Sequence, residues 1–462
     1  MNRRLAWVVV PLLVLAAVAM VLPGRVALAF GVLMAVLLAR IIVLKSWQQQ
    51  ALGMTVLVLP LSWKWSIEGA VDLTFPSEFL IITMALVVLW ELAVMARWQI
   101  VRNHPWPALW IITFLLPLVQ STMPVTSLKF TVLNALMVGV FYYGILLFAV
   151  YQFRFYLRLF ALALVPVVFW GMYNFYRYDF NPITITGIFQ PFFYSSTFLG
   201  AVCAMGMGYA VGRSSKGWYY LALAALAFAV VVLSESRAAL LSTVLVFAAL
   251  PLYGLRRWAR LAVPVVLLVG GYGVVGPDAL REAFAYNKVE SHDPTANVFE
   301  ETLSVTNVET DVSNKERLNR WVSALKMFRE RPHWGFGPGT YQFAYIPFQE
   351  EGLKNRLSVR NPDNPPPGSG GSAHSEVLLQ LSENGWPTTV VFVVMMGVWV
   401  RRGLLFPRNW RDPKVAFFLA MVTYIFHMNV NNFLNQPAFA FLFWGFGAML
   451  SVSSKELAEK NE

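Results

Sequence analysis

The sequence predicts an all-α fold: a polytopic transmembrane bundle of roughly 12–14 spans, with one large loop on the outer face. Three observations carry that prediction. Of 462 residues, 57% are hydrophobic and only 13% charged, where a soluble globule carries about 25% charged residues. The apolar residues come in long blocks, such as "LAWVVVPLLVLAAVAMVL" from Leu5 and "FLIITMALVVLW" from Phe79, without a polar stripe at helical spacing. Basic residues gather in alternate links between the blocks, which is the positive-inside pattern.

The elements follow in order. Met1-Asn2-Arg3-Arg4 and the apolar run behind it resemble a signal peptide, with Ala27-Leu28-Ala29 as a cleavage site. The apolar blocks continue past it, so an uncleaved first span is expected. Further blocks start near residues 26, 50, 78, 107, 130, 155, 193, 217, 238, 260, 377, 414 and 435. With both termini inside, the inner links hold Arg40 and Lys45, Arg97 and Arg102, Arg154 and Arg158, Arg213 and Lys216, and Arg256, Arg257 and Arg260. Later inner segments hold Arg401, Arg402, Arg408, Arg411 and Lys414, then Lys455 and Lys460. Outer links are poorer, offering little beyond Arg25, Lys64, Lys129 and Arg177. The net charge of +11 is therefore explained by topology rather than by a nucleic-acid stripe, and no nucleic-acid partner is expected. A single cysteine, Cys203 in an apolar block, excludes an intrachain disulfide.

Three regions result: a transmembrane bundle over 1–276, an outer loop over 277–375, and further spans with an inner tail over 376–462. The loop is rich in charged residues, Asn and Pro. Its "DVSNKERLNRWVSALKMFRERP" reads as an amphipathic helix, with Ser313 and Glu316 at capping-box spacing and Pro332 past the end. "NPDNPPPGSGGS" is a Pro/Gly link. "AHSEVLLQLSENGWP" reads as a short helix capped by Ser372 and closed by Asn384-Gly385 before Pro387. Long loops of this kind are usually functional.

The topology brings Arg237, Arg317 and His374 to one surface. Arg320 and Trp321 lie three and four residues after Arg317, at spacing that shares a helix face, and Glu376 lies close to His374. Paired guanidiniums at a membrane surface suit a diphosphate, to which Arg offers fixed bidentate donors. A histidine in the first turn of a helix is held neutral by the helix dipole and can take a proton from a hydroxyl. Each residue also has a plainer reading: Arg237 as a snorkelling interfacial arginine, Arg317 paired with Asp311 or Glu316, and His374 as an ordinary surface histidine. "GFGPGTYQFAY" from Gly335 lacks the Gly-Lys-Ser/Thr ending of a phosphate loop and reads as a turn. His104, His292, His333 and His427 show no metal-ligand spacing, so neither a metal nor another cofactor is expected.

"SESRAAL", "ERLNRWVSALKMFRERPHWGFGPGTYQF" and "AHSEVLLQLSENGWP" together resemble the O-antigen ligase and polymerase superfamily of bacterial membrane glycosyltransferases. The similarity runs from about Ser234 to Val400. The resemblance implies a GT-C type helical fold in the bacterial inner membrane, with the loop periplasmic and the termini cytoplasmic. It implies transfer of a glycan from an undecaprenyl-diphosphate carrier to an acceptor hydroxyl, without a metal and with inversion. The acceptor would be lipid A-core, or another glycan or lipid. By the same resemblance, Arg237 and Arg317 hold the diphosphate and His374 orients or deprotonates the acceptor. Arg320 is a further phosphate ligand and Glu376 a second candidate base, with Trp321 beside them. One large late loop favours a ligase over a polymerase or a protein O-oligosaccharyltransferase. A small-solute transporter is the alternative of another class, but Glu91 is the main ionisable residue well inside a predicted span and no paired halves are visible.

Overall fold

The computed structural model describes residues 41, 46–65, 73–181, 184–266, 307, 310–361, 364, 366 and 371–453. The first two expected spans, and the start of the loop up to residue 306, lie outside the described residues. Among the described residues the only strands are β1 (Trp63–Trp65) and β2 (Leu73–Phe75), an antiparallel pair in which Trp63 faces Phe75. The rest of the regular structure is helical.

The membrane bundle comprises α1 (Trp47–Val58), α2 (Ser77–Ala93), α3 (Trp106–Ile112), α4 (Pro124–Val138), α5 (Phe153–Arg177), α6 (Ser196–Arg213), α7 (Trp218–Leu233) and α8 (Arg237–Ala249). After the loop helix α9 (Val312–Glu330) come α10 (Glu376–Leu405), α11 (Pro413–His427) and α12 (Pro437–Ser451). Four stretches among the described residues are long and apolar enough to cross a membrane: Pro124–Phe148, Val150–Arg177, Arg237–Gly254 and Glu376–Leu405. Shorter apolar helices occupy Trp106–Val119, Trp218–Leu233, Pro413–His427 and Pro437–Ser451. The protein is thus a polytopic helical membrane protein.

Apolar sequence on all sides of a helix has two causes here. Every residue of α12 from Pro437 to Leu450 is buried, because this helix is the middle of the bundle. Trp444 lies 5.3 Å from Trp110 and 5.9 Å from Trp399, ring centre to ring centre. In α7, by contrast, Leu221 and Leu226 are 56% and 66% exposed, the signature of a helix turned towards lipid. Helices α6 and α11 approach almost to backbone contact: a Cβ added at Gly208 would lie 2.7 Å from the Leu419 carbonyl oxygen, and one at Gly212 would lie 2.4 Å from Ala416 Cα. Small residues permit that approach.

The loop folds around a small core of its own, built from Ala324, Met327, Phe336, Tyr341, Tyr345 and Val359. Two caps differ from expectation. Asp311, rather than Ser313, caps α9, its side chain accepting from the Asn314 N–H at 2.8 Å. Ser375, rather than Ser372, caps α10 and accepts from the Leu378 N–H at 3.3 Å. Asn384-Gly385 closes the first, short helical segment of α10 as its sequence suggests: Gly385, with φ 75°, is non-helical, and a second helical segment follows through Pro387 into the long apolar stretch. The break lets Trp386 donate its backbone N–H to the Pro332 carbonyl at 2.9 Å.

Candidate functional site

The site lies where α8, α9 and α10 meet the link after α11. Arg237 is the first residue of α8, behind its cap Ser236. It is 9% exposed, and its guanidinium lies 3.9 Å from Asp311. One Asp311 oxygen caps α9 while the other faces Arg237, so a single carboxylate ties the ends of two helices together.

Arg317 lies in the second turn of α9. Its guanidinium reaches Asn314 Oδ1 at a long 3.4 Å, and its buried Nε has no hydrogen-bond partner. Burial lowers its pKa to about 10, assisted by the charge of Arg237 and opposed by Asp311. It therefore stays charged at neutral pH. Asp311 thus lies 3.9 Å from one guanidinium and acts electrostatically on the other, which brings two fixed positive charges close together.

His374 precedes α10 in a left-handed conformation, φ 50°. Burial holds its pKa well below 6.5, and the charges of Arg320 and Arg317 add to the effect, while a hydrogen bond with Asn431 opposes it. The imidazole is neutral at neutral pH and can accept a proton. Its segment is held from several sides: Trp321 Nε1 donates to the His374 carbonyl at 3.3 Å, and the Ser375 N–H donates to Asn432 Oδ1 at 3.2 Å.

Arg320 and Glu376 are occupied elsewhere. Arg320 is fully buried. Its Nε pairs with Glu316 at 2.9 Å, one terminal nitrogen donates to the Ser372 carbonyl at 2.8 Å, and the guanidinium lies 5.7 Å from the Tyr345 ring centre. Glu376 Oε1 accepts the backbone N–H groups of Phe433 and Leu434 at 2.8 and 3.0 Å. So the structure gathers Arg237, Arg317, Trp321 and His374, while Arg320 and Glu376 lie beneath them as ties.

Several contributors were not singled out in the sequence. Asn431 and Asn432 sit in "NVNNFLN", a polar run inside an apolar stretch, and that interruption was the available signal. Glu383 had none. Its buried carboxylate accepts the N–H groups of Gly339 and Tyr341, both at 2.9 Å. The "GFGPG" segment is a turn, as its sequence suggests. Gly335, Gly337 and Gly339 have φ of 61°, 111° and 76°, and the Phe336 and Gly337 N–H groups donate to the Ser382 and Glu383 carbonyls at 3.1 and 2.8 Å. Among the described residues, no three His, Cys, Asp or Glu side chains gather as ligands for a metal ion.

This is a polytopic helical membrane protein with paired arginines beside a neutral histidine at one end of its bundle. A family model described as O-Antigen ligase matches residues 222–393, a window that contains Arg237, Arg317, Arg320, Trp321, His374 and Glu376. The match supports a likeness of that stretch of the chain, under half of its length, to the O-antigen ligase family. No curated protein matches the chain.

Proposed function

We propose that this protein is an inverting glycosyltransferase of the O-antigen ligase kind, moving a glycan from undecaprenyl diphosphate to a hydroxyl of lipid A-core at the periplasmic face of the bacterial inner membrane. The observation that carries the reading is the closeness of the Arg237 and Arg317 guanidiniums to each other and to neutral His374, inside the matched window.

The acceptor oxygen attacks the anomeric carbon as the bond from that carbon to the diphosphate oxygen breaks. Negative charge grows on the departing diphosphate, and the two guanidiniums stabilise it with charge-assisted hydrogen bonds. The acceptor proton passes to His374. Attack opposite the leaving group inverts the anomeric centre. Arg320 acts through position: its links to Glu316 and Ser372 hold the segment that carries His374. Glu376 does the same by anchoring the 428–434 link, which leaves His374 as the base.

Deleting the gene tests the reading. The expected result is bare lipid A-core at the surface, with long polymer accumulating on the carrier lipid. Unchanged surface glycans and an unchanged lipid-linked pool would overturn it. Core carrying a single repeat unit would instead indicate a polymerase.

A further inference from the structure

A second cluster of arginines lies at the other end of the bundle. Helix α6 begins near Ser234, since a Cβ at Gly200 would meet Ser234 Oγ at 2.3 Å, and it ends at Arg213. Helix α7 returns from Trp218 to Leu233, just before Ser234 and Arg237. At 1.5 Å per residue, Arg213 and Tyr220 are therefore roughly 20 Å from the candidate site along the helix axes. Arg154 and Arg158, one turn apart at the start of α5, join them there. The charges of Arg213 and Arg158 act on Arg154, and Tyr220 makes side-chain hydrogen bonds with Arg158 and Arg213.

Two other buried arginines, Arg260 and Arg320, are held by several internal partners. Arg260 donates to the carbonyls of Leu255, Leu404, Pro407, Tyr253 and Arg408, and Arg320 has Glu316 and Ser372. Arg213 differs. It is 3% exposed, its Nε has no hydrogen-bond partner, and its guanidinium lies 5.9 Å from the Tyr220 ring centre. Among the described residues, none of Arg154, Arg158 and Arg213 forms an ion pair. Like charges one helical turn apart destabilise each other unless an anion lies between them. A solvated basic link of the positive-inside kind would not bury one of its guanidiniums.

We propose that Arg154, Arg158 and Arg213, with the Tyr220 hydroxyl, bind the phosphate of an acidic lipid headgroup at the membrane face opposite the candidate site. The surroundings favour a lipid as the source. Trp218 and Tyr219 beside the cluster are 80% and 42% exposed, and Leu221 and Leu226 continue an exposed apolar strip down α7. Aromatic residues at span ends mark the headgroup level, and the strip would receive acyl chains.

Native mass spectrometry of the full chain, exchanged into phosphatidylglycerol or phosphatidylcholine, tests this. The wild type should retain phosphatidylglycerol preferentially. An Arg154→Gln, Arg213→Gln double variant should bind it about 30-fold more weakly, while Arg256→Gln, an exposed basic residue elsewhere, keeps it. The double variant must elute as the same monodisperse species and melt at the wild-type temperature in phosphatidylcholine. If it does not, Arg158→Gln, at an exposed position, gives the reading. Equal retention of both lipids by the wild type, or undiminished phosphatidylglycerol binding by the variants, overturns the proposal. So does thermal stabilisation by inorganic phosphate while phosphatidylglycerol has no effect, since the source would then be free phosphate.

Discussion

Exchanging Arg320 for lysine separates a positioning arginine from a phosphate ligand, because lysine keeps the charge and loses the fork. Arg320 joins Glu316 through Nε at 2.9 Å and the Ser372 carbonyl through a terminal nitrogen at 2.8 Å. A single ammonium can follow Glu316 but cannot hold both partners in that geometry. Leaving the Ser372 carbonyl unpaired costs about 1–3 kcal/mol. If that cost falls on the segment carrying His374, its local opening becomes roughly 5- to 150-fold more frequent. Hydrogen exchange followed by mass spectrometry reads this directly: amides at 371–376 should exchange faster by that factor, with those of the α12 core unchanged. Glycan transfer should fall through kcat. Were Arg320 a phosphate ligand with a free guanidinium, exchange at 371–376 would stay as in the wild type and only the donor KM would rise. That outcome would refute the positioning role.

Other predictions concern the same segment and its anchors. Burial and the neighbouring arginines hold the His374 pKa well below 6.5, so initial transfer rates should stay level from neutral pH down to pH 6.5 and fall only at more acidic values. The same shift has a stability sign: below about pH 6.5 the unfolded chain binds this proton more readily than the folded one. Its contribution to stability is therefore lost as pH falls, which melting curves across that range would register. Asn431→Leu removes the hydrogen bond that raises the His374 pKa, so it should lower kcat about 2- to 10-fold and move the acidic limb further down, as a pH–rate profile would show. Gly337→Ala places a Cβ 2.1 Å from Ser121 Oγ at φ 111°. It should destabilise the loop by at least about 1–3 kcal/mol, seen as a lower melting temperature in detergent.

The spans were legible because membrane helices must be apolar over a fixed length, and α4, α5, α10, α11 and α12 begin close to where the hydropathy places them. Helix caps were less legible. Asp311 and Ser313 are both good capping residues, as are Ser372 and Ser375, and only tertiary contacts decide between them. Asp311 is drawn to the cap because its second oxygen also faces Arg237. Sequence spacing put Arg317, Arg320 and Trp321 on one face of α9, yet it could not tell which of two polar neighbours turns inward. The Glu316–Arg320 pair, one turn apart and both buried, decided that. The plainer reading of Arg317 paired it with Asp311 or Glu316. Asp311 acts on it electrostatically, while Glu316 is taken by Arg320. Asn431 reaches His374 from the link after α11, and Glu383 meets Gly339 and Tyr341 of the turn after α9; no local pattern encodes such meetings.

The central claim is that Arg317 and His374 perform glycan transfer at this junction. Purified protein in liposomes, given an undecaprenyl-diphosphate-linked glycan and lipid A-core, measures that transfer directly. Wild-type protein should produce glycosylated core, while Arg317→Ala and His374→Ala, inserted and melting like the wild type, should produce none. Wild-type rates from either variant would contradict the account.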